Sequence, residues 1–318
     1  MADGSVVTLG ESMGLLSSRG TGPLAHGTQL TLSVAGAESN VAIALSRLGV
    51  PVTWIGRLGT DAVGDVVRRE LGAEGVDLVV VRDPDAPTGV MIKEHRSAAT
   101  TRVWYHRAGS AGSRLEPADV PEDVVARARV LHVTGITPAL SASAAAAAER
   151  AVDLAREAGV LVSFDVNHRS KLWGSAAAAA ALASLVARSD VVFAGLDEAA
   201  LFVDVDADAD PAEVAHALTR LGPAQAVVKL GSQGCVAVVD GAVHRQEALR
   251  VPVVDPVGAG DAFVGGYLAG LVDDDAPAAR LQLAVTLGAF ACTVDGDWEG
   301  LPFRDDLPVL GEPEHVDR

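Results

Sequence analysis

The run Asp255-Pro256-Val257-Gly258-Ala259-Gly260-Asp261 brings two carboxylates and two glycines into seven residues. Small side chains at Gly258, Ala259 and Gly260 leave backbone N–H groups uncovered. The amphipathic pattern from Asp261 to Leu271 predicts a helix directly behind them. A helix start adds positive potential to free N–H groups, so this turn reads as an anion site. Asp261 stands at the expected N-cap, where its carboxylate is expected to be ionised and aimed at the same spot. A carboxylate that takes a hydroxyl proton, beside N–H groups that hold transferred charge, suits phosphoryl transfer. An ordinary glycine turn capped by Asp would carry the same residues. Two other phosphate motifs are excluded. No G-x-x-x-x-G-K-[ST] occurs, and Phe263 stands where a dinucleotide fingerprint needs its third glycine.

The elements that must position this turn follow from periodicity. Leu249 to Val254 is apolar and Val-rich and reads as the strand leading into it. Upstream, Val6–Gly10, Val52–Ile55, Leu131–Thr134, Val160–Val166, Val191–Ala194, Ala226–Leu230 and Cys235–Val239 read as strands. Helical patterns alternate with them at Val41–Leu48, Asp65–Glu74, Ser141–Ala158, Ala176–Ala187 and Arg280–Thr293. This alternation predicts an α/β fold with a mainly parallel sheet and helices on both faces. Thr88–Glu94 and Arg102–Arg107, joined by a polar turn through Ser97, Ala98 and Ala99, interrupt the alternation. With part of Gly14–Ser33 they read as a small β-sheet over the site, so lid segments are expected at about 13–34 and 88–110 of one domain spanning 1–318. Alternation puts Tyr105 and Arg107 on one face of the second segment. Asp204 to Asp210 reads as a solvated acidic loop.

Asp255 to Asp261 resembles the C-terminal signature of the ribokinase-like (PfkB) sugar kinases, with Pro256 in place of the usual Thr. Gly36–Ala42 and Gly56–Gly64 resemble that family's N-terminal signature, and the likeness extends from Val6 to Pro302. Phe164-Asp165-Val166-Asn167-His168-Arg169, Tyr105-His106-Arg107-Ala108-Gly109 and Gly135-Ile136-Thr137-Pro138 resemble in particular the family's members that act on 2-keto-3-deoxygluconate. The resemblance implies a ribokinase-like fold and ATP-dependent phosphorylation of a sugar. It implies that Asp261 is the catalytic base and that Gly258, Ala259 and Gly260 form the anion hole. Gly36, Asn40, Met91, Tyr105, Arg107, Ile136 and Arg169 would bind the substrate, with both arginines on its acidic end. Met91 stands where a tyrosine is frequent. Lys229, Gly231, Gly234, Gly260 and Val285 would bind the nucleotide, although a hairpin turn explains Gly231 and Gly234 equally well. Glu198 would hold Mg²⁺ through water, and Asp255 would hold a monovalent cation such as K⁺. Gly36 is also readable as a plain helix-start glycine.

Composition sets bounds. The chain has 318 residues, is 49% hydrophobic and carries a formal net charge of −17, which disfavours a nucleic-acid partner. The expected partners are ATP and a small acidic sugar, together with further copies of the chain as a homo-oligomer. Two isolated cysteines, Cys235 and Cys292, make no metal pattern and fit a reducing cytoplasm. The start of the chain lacks the pattern of a secretory signal, and no apolar run of membrane-spanning length is evident.

Overall fold

The computed structural model describes residues 5–97, 100–204, 206 and 209–309. The expected turn at Ala98 and Ala99, and positions 205, 207 and 208 of the acidic loop, lie outside them. The strands are β1 (Val6–Leu9), β2 (Met13–Ser18), β3 (Leu30–Ala35), β4 (Val52–Gly59), β5 (Asp77–Asp83), β6 (Val90–Ser97), β7 (Thr100–His106), β8 (Val130–Thr134), β9 (Leu161–Asp165), β10 (Val191–Gly195), β11 (Gln225–Lys229), β12 (Cys235–Val239) and β13 (Ala242–Gln246). The helices are α1 (Ala37–Arg47), α2 (Ala62–Ala73), α3 (Glu122–Arg127), α4 (Ile136–Leu140), α5 (Ala142–Ala158), α6 (Ser175–Ala187), α7 (Leu196–Ala199), α8 (Pro211–Thr219), α9 (Ala259–Val272) and α10 (Pro277–Ala291).

Nine strands form one sheet in the order β13-β12-β11-β10-β9-β8-β1-β4-β5. All neighbours from β11 to β5 run parallel, and the β11-β12-β13 edge is antiparallel. Alternate side chains feed two separate cores. Val6 packs with α1, α9 and α10, whereas Val7 and Leu9 pack with α5 on the other face. Burial on both faces explains why these strands read as continuous apolar runs. A second sheet, β3-β2-β6-β7, stands apart and has a small core of Met13, Leu15, Ala35 and Met91. Among the described residues no helix is long and apolar enough to cross a membrane.

The expected strand at Leu249–Val254 does not form. The β12–β13 hairpin has already taken the sheet edge, so the Val-rich segment crosses the surface with Val253 and Val254 exposed. β5, β13 and α8 arise where no element is expected. Ser141 caps α5 as expected, accepting from the Ala144 N–H at 3.0 Å, and Gly159 ends that helix in the left-handed region.

Helix α9 is apolar all round and not amphipathic as expected, because α1 and α10 press on it from two sides. A Cβ at Gly265 would lie 2.5 Å from the Ala44 Cβ, and one at Gly266 would lie 2.9 Å from the Leu283 carbonyl oxygen. Replacing Gly265 by Val would recover less than about 1 kcal/mol of helix propensity. The overpacking it forces costs about 1–3 kcal/mol. Gly265→Val is therefore expected to lower unfolding stability by about 1–2 kcal/mol in urea titration. Unchanged stability would mean that α1 yields freely.

Candidate active site

A cleft of about 1620 Å³ opens between the carboxyl ends of the parallel strands and the small sheet. Open α/β sheets place their sites at this edge, since loops leaving adjacent strands converge there. Here they deliver Glu11 after β1, Asn167 and Arg169 after β9, Glu198 near β10, and Lys229 at the end of β11.

Asp261 lies in the first turn of α9 and is 9% exposed. It is not the N-cap. Gly258 takes that place with φ 77°, because a side chain there would run into the Asp297 carbonyl oxygen, 1.8 Å from the Cβ position. The first bond of the helix runs from the Ala262 N–H to the Gly258 carbonyl, so the N–H groups of Gly260 and Asp261 have no partner within the helix. The two Asp261 oxygens accept from the side-chain amides of Asn40 at 2.9 Å and Asn167 at 3.4 Å. Asn167 reaches over from a left-handed backbone, φ 40°, which Asn tolerates better than most residues. Burial pushes the Asp261 carboxyl up to about 6, against the opposing pull of the Asn40 hydrogen bond and the Arg169 charge. At about 6 the carboxyl is still mostly ionised at neutral pH, as expected, but from within the first turn and not from the cap. The Asn40 carbonyl oxygen is buried and has no partner among the described residues.

Gly260 differs from Gly258. A Cβ there would meet only the Lys229 ammonium, at 3.9 Å, so its missing side chain leaves open space beside a positive charge. Lys229 is held by both oxygens of Asp165 at 2.8 Å. Burial, the largest single influence, would depress its ammonium, but the charge and hydrogen bonds of Asp165 together with the charges of Glu198 and Asp261 raise it overall. Gly36, by contrast, has a packing reason. A Cβ would come within 2.5 Å of the Glu11 carbonyl oxygen, and its φ of 174° is ordinary extended backbone.

Tyr105 lines the cleft with Arg107 beside its ring, 5.8 Å from the centroid, as strand alternation requires. The Arg107 guanidinium is already paired, through Nε at 2.6 Å and Nη2 at 2.5 Å, with buried Glu11, which also accepts from Ser110. Arg169 is exposed, and its described hydrogen bond goes only to the His168 carbonyl at 3.5 Å. Met91 and Ile136 also line the cleft, with the Ile136 N–H turned to the Thr134 hydroxyl at 3.1 Å. Val285 is 5% exposed and packs in the core against α9, and it is not among the residues that line the cleft. Gly234, at φ 94°, closes the turn between β11 and β12 against the Gln246 carbonyl, and neither it nor Gly231 lines the cleft. The hairpin explanation holds for both.

Two groups suit a cation unequally. The Glu198 oxygens accept from the N–H groups of His168 at 2.9 Å and Gly195 at 2.7 Å. A carboxylate has four acceptor positions, so it fits a hydrated Mg²⁺ through water. Asp255 does not fit K⁺, because its Oδ2 accepts from the buried ammonium of Lys93. Among the described residues, no group of three or more His, Cys, Asp or Glu side chains is arranged to hold a metal ion.

Glu38 has no expected role but is wholly enclosed under the cleft. It accepts from the Thr134 hydroxyl at 2.7 Å and the Thr137 hydroxyl at 2.8 Å. Burial pushes its carboxyl to about 7, and the nearby Asp261 adds to the rise. Gly10 makes the room, since a Cβ there would strike the Glu38 carboxyl carbon at 2.3 Å.

A family model described as "pfkB family carbohydrate kinase" matches residues 3–304. The chain is similar to a 2-dehydro-3-deoxygluconokinase of Bacillus subtilis, 35% identical over 95% of this chain and 93% of that protein. A protein of the same name from Thermoproteus tenax is 37% identical over 94% and 91%. The solved structure of 2-dehydro-3-deoxygluconokinase from Thermotoga maritima superposes with a TM-score of 0.90 at 25% identity, covering 96% of this chain and 97% of that one.

The raised Glu38 carboxyl makes a prediction about stability. Below its ordinary value of 4.5 it is protonated in folded and unfolded chains alike, and the fold keeps its full stability. As pH rises towards the folded value of about 7, only the unfolded chain ionises, so stability is lost across that window. Glu38→Gln keeps an acceptor for both hydroxyls and removes the titration. Relative to wild type it should gain about 2 kcal/mol between about pH 5 and about pH 8 in thermal melts. Parallel profiles would mean that Glu38 does not titrate in this window.

Proposed function

The chain belongs to the pfkB family of carbohydrate kinases, and on that premise we propose that it transfers the terminal phosphoryl group of ATP to the terminal hydroxyl of 2-keto-3-deoxygluconate, giving the 6-phosphate. The observation that carries this reading is the Asp261 carboxylate, held between two amides at the start of α9 and opening into a cleft with the exposed cation Arg169. The relatives in Bacillus subtilis and Thermoproteus tenax, named for the same compound under its synonym, support it.

In this reading Asp261 takes the proton of the sugar's terminal hydroxyl, and the freed oxygen attacks the γ-phosphorus in line as the bond to the β-phosphate oxygen breaks. The Gly260 and Asp261 N–H groups hold the charge on the transferred group, with Lys229 beside them. Mg²⁺, held through water by Glu198 and by the nucleotide's phosphates, would neutralise charge on those phosphates. The unpartnered Asn40 carbonyl oxygen accepts from a sugar hydroxyl, and Tyr105 covers the sugar from the small sheet. That sheet acts as a lid which excludes water that would otherwise take the phosphoryl group. The free thiols of Cys235 and Cys292 fit a cytoplasmic setting.

A second reading, a kinase of a neutral ketose such as fructose, draws on one observation. Arg107 is already neutralised by Glu11, which leaves Arg169 and Lys171, the latter donating to the Val103 carbonyl, as the cleft cations that could meet the acidic end of a substrate.

Asp261→Asn should leave folding intact and lower kcat by about 10²-fold or more. Near-normal turnover would remove Asp261 as the base. In the wild type, a base near 6 predicts that the rate falls as pH drops below about 6, because the carboxyl must be ionised to accept the proton. Arg169→Ala should lower kcat/KM for 2-keto-3-deoxygluconate by about 30- to 300-fold and for fructose by far less. Equal losses, or a better wild-type kcat/KM for fructose, would favour the neutral sugar. Arg107→Ala is the poorer probe, since it strands buried Glu11.

A further inference from the structure

Lys93 sits on β6 with its side chain 0% exposed, although lysine is among the residues least often buried whole. It does not line the cleft. Its ammonium donates to Asp255 Oδ2 and lies 3.7 Å from Asp297 Oδ1 and 3.9 Å from Asp295 Oδ1. Asp255 opens the loop that runs to Gly258, and the other two acids belong to the segment after α10. These two segments back the anion hole. The Val254 and Asp255 N–H groups donate to the Cys292 carbonyl at 2.8 and 3.3 Å, and the Asp297 carbonyl fills the place of a Gly258 side chain.

Three converging carboxylates repel one another unless a cation stands among them. A metal ion would need the Asp255 oxygens as ligands. Oδ1 already accepts from the Val257 N–H at 3.1 Å, while Oδ2 takes Lys93 and, at 3.4 Å, the Gly296 N–H. A second cation would have to sit against a buried ammonium.

We propose that the Lys93 ammonium is the resident cation of the anion-hole loops, standing where the family likeness places a monovalent metal ion, so that phosphoryl transfer by this chain needs no potassium. Lys93 is a positioning residue, acting through Asp255 and Asp297 on the backbone at Gly258. The claim about turnover rests on the proposed kinase reading; the claim about occupancy does not.

The test compares tetramethylammonium chloride with KCl at equal ionic strength. Wild-type kcat should change by no more than about twofold, and the ligand-free melting temperature should not move with K⁺ beyond the organic cation. Lys93→Met removes the charge but keeps the length. Its kcat in the organic cation should fall by about 30-fold or more, and K⁺ or NH₄⁺ should restore about tenfold of that while raising its ligand-free melting temperature. Potassium activation of the wild type above about twofold overturns the proposal. So does a folded Lys93→Met with normal turnover, or one that is slow and deaf to K⁺ in both rate and melting. If Lys93→Met does not fold, the wild-type titration decides alone. If no sugar is phosphorylated, the kinase reading fails and the ligand-free melting arm still tests the site.

Discussion

A carboxylate taken out of water must be met by donors or by positive charge, and the surroundings of Asp261 are built to that requirement. Its two oxygens are met by amides from opposite sides, Asn40 on α1 and Asn167 beyond β9. That arrangement requires α1 to lie against α9, which the glycine at 265 permits, and β9 to end level with the helix start. It also requires Asn167 to hold a left-handed backbone that few residues accept. Neutral amides leave the carboxyl near 6, whereas a direct lysine partner would depress it. The lysine of this region is instead bound by Asp165, which keeps it beside Gly260 without quenching Asp261.

The same rule orders the other ionisable groups of the cleft. Glu38 is buried with hydroxyl donors only and rises to about 7. Glu11 is buried with Arg107 and Ser110. Three carboxylates at the back of the anion hole share Lys93. In a chain with net charge −17 each of these buried cations is thus met by at least one carboxylate.

How much of this was legible depended on whether a local pattern carried it. Parallel strands and helices announce themselves by period, so the layer order of the large sheet and the α9 start were readable to within a few residues. The segment 249–254 misleads because its Val-rich composition fits a strand, while pairing depends on β13, which offers no apolar run. The burial of Val285 was not legible either, because α10 is apolar on nearly every face and period alone does not say which side packs against α9. Glu11 and Glu38 are ordinary acids in the sequence; their burial follows from loops distant in the chain. Lys93 did leave a trace. Met91 and Lys93 alternate onto one face of β6, and a lysine on an apolar face must find carboxylates somewhere.

The small sheet meets the loop before α9 and the segment after α10 through contacts from two of its strands. Lys93 grips Asp255, the Trp298 indole N–H donates to the Val34 carbonyl at 2.8 Å, and the Ser33 hydroxyl donates to Glu299. At the far end, Tyr105 on edge strand β7 is half-exposed. The rim is tied as well, since the Lys171 ammonium donates to the Val103 carbonyl of β7 at 3.0 Å and lies 5.9 Å from the centre of the Tyr105 ring. Held at both margins, the small sheet stands over the cleft as a bridge rather than as a flap, with Lys93 at one footing and Lys171 at the other.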